Sequence, residues 1–260
     1  MQRFQKGNFD SKIKKIHQDE LGYLDSSFNE MVEQMNTLIQ KVYQANIDIK
    51  EAQLRALQAQ INPHFLYNSL SIINRLSDLG CNQEINQMVF SLATFYRMTL
   101  NKGKDIIRIE DEIKQIKAYL DIYKIRLEDR FEVAFDFDPQ ILHCETVKVI
   151  LQPFVENIFE HALGESEDTI HIRITGKCMP PENDIQNDFI QFTIQDDGIG
   201  IEPERLSELI YTDSQNTSGY GIKNVHQRIQ IHYGPDYGVR ICSELGEGTT
   251  VKINIPYKDS

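Results

Sequence analysis

A histidine that follows a proline is the first residue of this 260-residue chain whose type and position could do chemistry. Pro63 interrupts a helical pattern, and a proline inside a helix removes a backbone hydrogen bond and bends the helix. We therefore expect His64 to project from a kinked, locally opened helix surface. A neutral imidazole nitrogen can act as a nucleophile near neutral pH, because the reference pKa of histidine is about 6.5. A lone helical histidine is more often an ordinary surface or core residue, so the pattern alone leaves both interpretations open.

Three glycine-bearing loops and one amphipathic helix are the other candidates, and all lie in the C-terminal half. Carboxylates accept hydrogen bonds from amines, amide oxygens bind hard cations, and backbone N–H groups at a helix N-terminus bind phosphate. Each loop alone is a weak signal, because glycines often only make turns. The four segments are Leu151–His161, Asp196–Ile201, Ser218–Asn224 and Gly246–Thr249.

The charge is concentrated in the same half of the chain. Asp and Glu number 39 against 27 Lys and Arg, which gives a formal net charge of −12. Residues 129–260 alone hold 10 basic and 23 acidic side chains, so a composition shift marks a candidate domain boundary near Asp129. Nucleic-acid-binding proteins usually need a basic face, and we therefore expect no nucleic-acid partner.

Cysteine usage and hydropathy exclude other classes. The four cysteines are widely spaced without a CxxC pair, which favours reduced thiols over a disulfide framework or a zinc site. There is no run of about 18 apolar residues and no apolar N-terminal region. The sequence therefore predicts neither a membrane-spanning segment nor a signal peptide within this chain.

The elements that must position His64 begin with a predicted helical rod. Apolar residues recur alternately four and three positions apart from Leu24 to Ala59, and this period of about 3.5 is typical of a coiled coil. A single helix cannot bury such a stripe alone, so we predict a dimer; the alternative is an amphipathic helix on the core of a monomer. The stripe consists of Leu24, Phe28, Met31, Met35, Leu38, Val42, Ala45, Ile49, Ala52, Ala56 and Ala59.

Two more amphipathic helices are predicted after His64. They are Asn82–Lys102, which follows a turn at Gly80, and Glu110–Leu127. A second apolar stripe, in which residues recur every seven positions, starts at Ile47 and widens the apolar face of the rod. We therefore expect the two-helix rod to open into a four-helix bundle.

The C-terminal half is predicted to be an α+β sandwich, with one mixed sheet and helices on one face. Apolar residues alternate with polar ones in the strands and follow helical spacing in the helices. The predicted strands are Phe131–Asp138, Thr169–Thr175, Phe189–Gln195, Val239–Glu244 and Thr249–Ile255. The predicted helices are Glu145–Leu163, Pro203–Ile210 and Gly221–Tyr233, and Met179–Asp188 is predicted to be a solvated hairpin loop.

The string around His64 resembles the phosphoacceptor helix of the LytS/YesM-like sensor histidine kinases, which carry a Q-x-N-P-H-F-L-x-N-x-L motif. The resemblance implies that His64 is the phosphoacceptor. Larger histidine kinase families keep an acidic residue after this histidine, whereas Phe65 follows here, as it does in this family; the general base therefore stays open. The matching residues are Gln60, Asn62, Pro63, His64, Phe65, Leu66, Asn68 and Leu70.

A short segment near the start resembles the second half of a HAMP linker. Its Asp-Glu-x-Gly motif would be Asp19, Glu20, Leu21 and Gly22. HAMP units usually follow a transmembrane helix, so the resemblance implies the cytoplasmic part of a longer membrane receptor. The alternative is an ordinary surface turn.

The four C-terminal segments together resemble the Bergerat, or GHKL, ATP-binding fold, with Leu151–His161 as its N box. The resemblance implies that ATP and Mg²⁺ bind here. Asp196 would accept a hydrogen bond from the adenine amino group, supported by Thr249. Gly198 and Gly200 would let the backbone approach the base.

The same resemblance assigns phosphate and metal contacts. Gly219 and Gly221 would turn the chain so that amides at the following helix N-terminus, near Asn224, face phosphate. Asn157 would bind Mg²⁺ through its amide oxygen. The donors to phosphate oxygens would be His161 and Lys223.

Two acidic residues of the N box complicate these assignments. Family members often carry lysine just before the final histidine, but Glu160 stands here and would repel phosphate, so His161, Lys223 or Arg228 must contribute more. Glu156 occupies the place where ATP-hydrolysing relatives keep a general base, and it is a candidate base or orienting group.

The combined pattern predicts four regions. They are a partial HAMP linker at 1–30, a signalling coiled coil at 31–56, dimerisation and phosphotransfer helices at 57–128 and a GHKL ATP-binding domain at 129–260. The implied protein is a homodimeric sensor histidine kinase of a two-component system, which phosphorylates His64 from Mg-ATP and passes the group to a response-regulator aspartate. Its link to the membrane would lie in an upstream region outside this chain.

Two alternatives stay open. Glu160 also fits a signalling scaffold that binds nucleotide without transferring phosphate, and the same folds fit a net phosphatase of the regulator. Phosphoryl transfer within one subunit or between two subunits would depend on the handedness of the bundle.

Overall fold

The computed structural model describes residues 20–59, 62–100, 105–127, 130–162, 169–182, 185–206 and 220–258. The chain divides into two compact units between Asn62 and Pro63. Within the described ranges, no helix is both long enough and apolar enough to cross a membrane.

The elements follow one another in the order helix, helical hairpin, and then a sheet interleaved with helices. The helices are α1 (Glu20–Ala59), α2 (Pro63–Asp78), α3 (Asn82–Leu100), α4 (Ile109–Leu127), α5 (Gln152–Asn157) and α6 (Tyr220–Tyr233). The strands are β1 (Ile106–Arg108), β2 (Phe131–Phe137), β3 (Glu145–Val147), β4 (Ile170–Met179), β5 (Phe189–Asp196), β6 (Gly238–Glu244) and β7 (Gly248–Pro256). A 3₁₀ turn covers Pro139–Ile141, and a π-helical turn, Ile158–Ala162, extends α5.

In the described part of the first unit, residues 20–59 form the 40-residue helix α1. Four residues of the predicted apolar stripe, Leu24, Met31, Leu38 and Val42, are 58–63% exposed. Such a stripe of large apolar side chains on a long helix is costly to leave in water. The predicted HAMP segment lies largely outside the described residues, which begin at Glu20 with the helix itself.

The break beside His64 is a helix start rather than a kink. We expected Pro63 to bend a continuous helix, but α2 begins at Pro63 and Asn62 is not helical. The first helical position suits proline, because its fixed φ matches the helix and its missing N–H would have no intrahelical partner there. His64 is therefore the second residue of a helix.

The hairpin α2–α3 packs on α4 through a group of aromatic side chains. Gly80 turns the chain with a φ of 73° between α2 and α3. Phe65 is buried, and its ring centroid lies 5.2 Å from that of Phe95 and 5.1 Å from that of Tyr119. The residue that follows His64 thus fixes the start of α2 against α3 and α4.

The second half of the unit is built on one mixed sheet, as predicted, and its five strands lie in the order β2-β4-β5-β7-β6. β2 and β4 are parallel and the other neighbours are antiparallel. Ile170, Ile172 and Ile174 are buried on β4 while His171 and Arg173 are exposed, so the predicted alternation holds.

One part of the prediction for this half was wrong. Glu145–Leu163 was expected to be one helix, but Glu145–Val147 form β3, which pairs with the unpredicted β1, and the helix begins at Gln152. The predicted hairpin loop lies between β4 and β5, and Ile185 in it is buried at 5% exposure. The other predicted strands and helices are present where the structure describes them, with ends shifted by a few residues.

Candidate nucleotide-binding site

A cavity of about 320 Å³ lies between the sheet and the helices α5 and α6. It brings together all four predicted segments: Asn157 from the N box, Asp196 and Gly200 from the first glycine loop, Ile222 from the second and Thr249 from the hairpin. Most of the other lining side chains are apolar. They are Phe154, Ile158, Ile194, Ile199, Ile201, Ile241, Leu245 and Val251, joined by the charged Glu202 and Arg205.

The sheet side of the cavity is a regular cross-strand arrangement. Asp196 on β5 pairs with Thr249 on β7, and Ile194 pairs with Val251 in the same register. Side chains of directly paired residues lie on the same face of a sheet, so the carboxylate and the hydroxyl are neighbours above two apolar residues. A flat apolar floor with two polar groups at one end suits a heteroaromatic ring with a polar edge.

Asp196 is buried at 5% exposure. Burial raises the pKa of its carboxyl, while hydrogen bonds from the backbone N–H groups of Gly198 and Thr249 lower it, and the effect of burial is larger. The Gly198 N–H lies 3.1 Å from Asp196 Oδ1. A buried carboxylate that lines a cavity can accept a hydrogen bond from an amine of a ligand.

The next residue, Asp197, points elsewhere. Its two carboxylate oxygens accept from the backbone N–H of His171 at 2.6 Å and from His171 Nδ1 at 2.8 Å. Burial alone would raise the pKa of Asp197. The two hydrogen bonds and the charge of His171 together lower that pKa by more, so it lies below the ordinary aspartate value.

Glycine is required in the first loop for contact with the β6–β7 hairpin. Gly200 has a φ of 71°, and a Cβ at this position would overlap the carbonyl oxygen of Glu244. Gly248 has a φ of 98°, and its Cβ would overlap the carbonyl oxygen of Asp196. The two glycines let the loop and the hairpin meet backbone to backbone at the cavity wall.

The N-box helix begins on a carboxylate clamp that the sequence did not reveal. Glu112 of α4 is 1% exposed and accepts the backbone N–H groups of Val149, Ile150 and Leu151 at 2.7, 2.8 and 3.0 Å. Burial raises the pKa of Glu112, and these three donors oppose that effect. Val149 has a φ of 58°, a strained conformation for a β-branched residue that the clamp holds in place. Asn157 is thus carried by a helix whose start is fixed.

A chain of side-chain hydrogen bonds leads from α3 to Glu156. Gln115 Nε2 on α4 is 3.2 Å from Thr99 Oγ1 and 2.6 Å from Gln152 Oε1. Gln152 in turn donates to Glu156 Oε1 at 2.6 Å. Burial raises the pKa of Glu156, Gln152 lowers it and Glu160 raises it. Glu156 is not among the residues that line the cavity, and its charge acts on Tyr119 of α4.

The remaining predicted residues lie in three situations. Gly221 packs near the N box, where a Cβ would meet Pro153 Cβ at 3.5 Å. Lys223 is half-buried and Asn224 exposed on the first turns of α6. Gly219 and the side chain of His161 lie outside the described residues.

Arg228 serves the framework rather than the cavity. Its Nη2 donates to the carbonyl of Val149 at 2.6 Å, and burial lowers its pKa while the charge of Glu112 raises it. The expectation that Arg228 contributes a phosphate contact is therefore not supported by its position.

His64 is exposed at the start of α2. The side-chain amide of Asn68, one turn later, lies 3.4 Å from His64 Nδ1 and 3.3 Å from His64 Nε2. Both residues belong to the predicted phosphoacceptor motif, and the accessible ring can meet a partner from solvent.

The apolar lining and the Glu112 clamp were the site residues that sequence reasoning missed. Ile194 and Val251 stand two positions from Asp196 and Thr249, so strand alternation would have placed them on the same face. Glu112 sits on the apolar stripe of α4 beside Ile109, Ile113 and Ile116, and a carboxylate in such a stripe signals a buried partner.

Comparison with known proteins identifies two regions of the chain. Residues 52–131 match the histidine kinase family, and residues 145–259 match the histidine kinase-, DNA gyrase B- and HSP90-like ATPases. The sensor histidine kinase YesM of Bacillus subtilis (strain 168) is 35% identical over 93% of this chain and 40% of its own length. The chain belongs to the sensor histidine kinases.

Other relatives carry related names. The sensor protein LytS of Staphylococcus epidermidis is 30% identical over 82% of this chain and 35% of its own length. The sensor histidine kinase BtsS of Escherichia coli (strain K12) is 26% identical over 81% of this chain and 34% of its own length. A solved histidine kinase domain from Erythrobacter litoralis EL346 aligns over 78% of this chain and 93% of its own at 17% identity and a TM-score of 0.44. The chain thus spans about 40% or less of the length of these curated relatives.

The matched families are histidine kinases and related ATPases, and an apolar cavity with a buried carboxylate suits a nucleotide base. Protein side chains alone would not complete the coordination of Mg²⁺, because the described residues hold no cluster of three or more His, Cys, Asp or Glu side chains. Mg²⁺ is usually bound by few protein oxygens together with phosphates and waters. The single amide of Asn157 at the cavity wall suits that mode.

Proposed function

We propose that this chain is the kinase part of a two-component sensor, which transfers the γ-phosphoryl group of Mg-ATP to His64 and then passes it to an aspartate of a response regulator. The observation that carries the proposal is the cavity that joins Asn157, Asp196 and Thr249, in a chain that also presents an exposed histidine in a matching motif. The sequence matches to both kinase domains support it.

The residues of the chain divide the work of positioning. Asp196 accepts from the adenine amine, and the isoleucines and Val251 enclose the ring. Asn157 holds the metal, which neutralises charge on the phosphates when bound. Gly219, Gly221 and Asn224 bring the N-terminus of α6 towards the phosphates, and His161 and Lys223 donate to phosphate oxygens.

At the acceptor end, an imidazole nitrogen of His64 attacks the γ-phosphorus in line, so an N–P bond forms as the bond to the bridging oxygen of ADP breaks. The lone pair must be free, and the amide of Asn68 within 3.4 Å of each ring nitrogen orients the ring. Glu156 is held by Gln152 on the side that faces α4. We assign it an orienting role within the N box rather than direct contact with nucleotide.

We also propose the larger arrangement that the sequence predicts. α1 forms a dimeric coiled coil, α2 and α3 form half of a four-helix bundle, and residues 129–260 form the ATP-binding domain. A HAMP linker and an upstream membrane region would place the chain on the cytoplasmic side of a cell-membrane sensor. The exposed apolar stripe of α1 and the sensor kinases among its relatives support this arrangement.

The test is incubation of the chain with γ-labelled ATP and Mg²⁺. We expect an acid-labile, alkali-stable label on the wild type that is absent from His64→Gln. Asn157→Asp should abolish labelling without changing the oligomeric state, and normal labelling of that variant would remove the metal assignment. His232→Gln, at an exposed histidine of α6 outside the motif and the cavity, is the matched control and should label normally.

The outcomes also separate the alternatives. Glu160 is exposed at the N box and raises the pKa of Glu156, so an acidic group does lie where relatives often keep lysine. Nucleotide binding without any label on His64 would favour a scaffold. Loss of phosphate from a phosphorylated regulator in the same experiment would favour a phosphatase.

A further inference from the structure

Three polar side chains form one row across the sheet at the end of the cavity. Asp196 on β5 pairs with Thr249 on β7, and Thr249 pairs with Ser243 on β6. Paired residues share a face, so the three side chains are neighbours. Asp196 and Thr249 line the cavity, whereas Ser243 lies behind Thr249 and is not among the lining residues.

The hydroxyl of Ser243 has three partners in the structure. The backbone N–H of Ile201 is 2.9 Å from Ser243 Oγ, the carbonyl oxygen of Gly248 is 2.9 Å away, and Thr249 Oγ1 is also 2.9 Å away. A serine hydroxyl has one proton to donate and two lone pairs that accept.

Counting protons fixes the direction of every one of these bonds. The Ile201 N–H can only donate, so it occupies one lone pair of Ser243. The Gly248 carbonyl can only accept, so it takes the single proton of Ser243. Thr249 must therefore donate its own proton into the second lone pair of Ser243.

This has a consequence inside the cavity. Thr249 has no proton left, so its oxygen presents only lone pairs to a ligand. Asp196, when ionised, is also acceptor-only. The polar end of the cavity is therefore a pair of acceptors, which matches the two N–H bonds of an exocyclic amine and repels an oxo group.

We infer that Ser243 is a specificity-determining positioning residue, which selects 6-aminopurine over 6-oxopurine nucleotides by holding the Thr249 hydroxyl as an acceptor. The inference deepens the proposed function and rests on nucleotide binding in this cavity. Ser243 touches no nucleotide itself. It also ties Ile201 to the hairpin, so a purely structural role is the competing explanation.

The experiment compares equilibrium binding of ADP and IDP to the full chain. IDP carries an oxo group and an N1 proton where ADP has the amine, and is otherwise the same nucleotide. In Ser243→Ala the Thr249 hydroxyl is free to rotate and donate to the oxo group. We expect the ADP-over-IDP preference to fall roughly three- to tenfold, the range of one neutral hydrogen bond.

Three further variants separate orientation from structure. Thr249→Val should lower the preference by a similar factor, and adding Ser243→Ala to it should change the preference no further. Ser243→Thr keeps a hydroxyl on a strand that tolerates β-branched residues, and it should retain the wild-type preference. Ser77→Ala, at an exposed position on α2, is the matched control and should behave as wild type.

Two results would overturn the inference while the proposed function stands. One is a wild-type ADP-to-IDP ratio in Ser243→Ala, with both affinities reduced alike, which is the mark of a structural role. The other is a further loss of preference when both substitutions are combined. A wild-type chain that binds neither nucleotide would overturn the proposed function together with this inference, whereas an unchanged ratio in a chain that binds ADP overturns the role of Ser243 alone.

Discussion

Asp196 and Asp197 are adjacent in the chain, and the structure sets their acid strengths in opposite directions. Burial raises the pKa of Asp196, whereas the contacts with His171 lower that of Asp197. A folded-state pKa above the unfolded value means that the folded chain binds the proton more tightly. The stability that this group contributes is present at low pH and is lost as pH rises through the raised pKa.

Asp196→Asn should therefore stabilise the unliganded chain near neutral pH, because asparagine never pays the cost of burying a charge. The gain should shrink as pH falls towards the raised pKa and disappear below the ordinary aspartate value. The same variant should lose ADP binding, since an amide edge no longer matches the adenine amine. Thermal unfolding from acid to neutral pH, with and without ADP, measures both effects.

The neighbouring Asp197→Asn is the control with the opposite sign. The lowered pKa of Asp197 means that its ionised form stabilises the fold above the unfolded pKa, and that this contribution is lost as pH falls. Its carboxylate is half exposed, so solvent screening keeps the effect small. Stabilisation by both substitutions at neutral pH would contradict the assignment of the two environments.

The β6–β7 hairpin is the element that closes the cavity, and its glycines have separate tasks. Gly246 and Gly248 both have positive φ, at 86° and 98°. A Cβ on Gly246 meets no atom within 4 Å, whereas one on Gly248 overlaps Asp196 and lies 2.8 Å from Asp197 Cα. Substitution of Gly246 therefore tests backbone strain alone, whereas substitution of Gly248 tests strain together with a steric clash.

Gly246→Ala should cost only the strain of a left-handed residue, about 1–2 kcal/mol. Gly248→Ala should cost about 1–3 kcal/mol more, because the hairpin must move away from the first glycine loop. Urea unfolding measures the difference. ADP binding should survive in Gly246→Ala and be lost in Gly248→Ala, and equal effects of the two substitutions would show that the backbone contact does not shape the cavity.

Strands and glycine loops could be predicted because each carries a local signal. The alternation of apolar and polar residues indicates which face of β4 or β5 is buried, and glycines next to polar residues are typical of turns. Glu145–Val147 was assigned to a helix because the apolar spacing of Val147, Ile150 and Leu151 fits a helical period. The three-residue strand forms only because β1, more than 35 positions earlier, lies beside it, and no local pattern carries that information.

The supporting contacts of the site were equally beyond a local pattern. Glu112 and Gln115 reach Val149–Leu151 and Gln152 across 37 or more positions. Their roles follow from how α4 packs on the N-box helix, so they appear only in three dimensions. Asn157, Asp196 and Thr249 could be predicted to share one site because their family motifs are short and contiguous.

At the scale of the whole molecule, an acidic half must bind an anionic ligand. Residues 129–260 carry a net charge of −13, yet the cavity wall is mostly apolar, and backbone N–H groups at the start of α6 offer positive partial charge. The binding spot is thus local, and the acidic surface repels competing polyanions.

The exposed stripe on α1 predicts the oligomeric state. We expect the chain to have twice its 30.2 kDa mass in light scattering at micromolar concentration. Leu38→Glu combined with Val42→Glu should yield monomers, because charges in the seam are desolvated on pairing. Gln40→Glu, which adds one charge between them off the stripe, should leave a dimer. A monomeric wild type would contradict the coiled coil.

The position of β7 has a consequence for biosynthesis. It lies between β5 and β6 and supplies Thr249 to the cavity, yet residues 248–256 are translated after every other strand of the sheet. Until they leave the ribosome, β5 and β6 have no partner between them and their edges stay open to aggregation or to chaperones. Nucleotide therefore cannot assist the folding of the nascent domain, and any stabilisation by ATP begins only after this strand has been inserted.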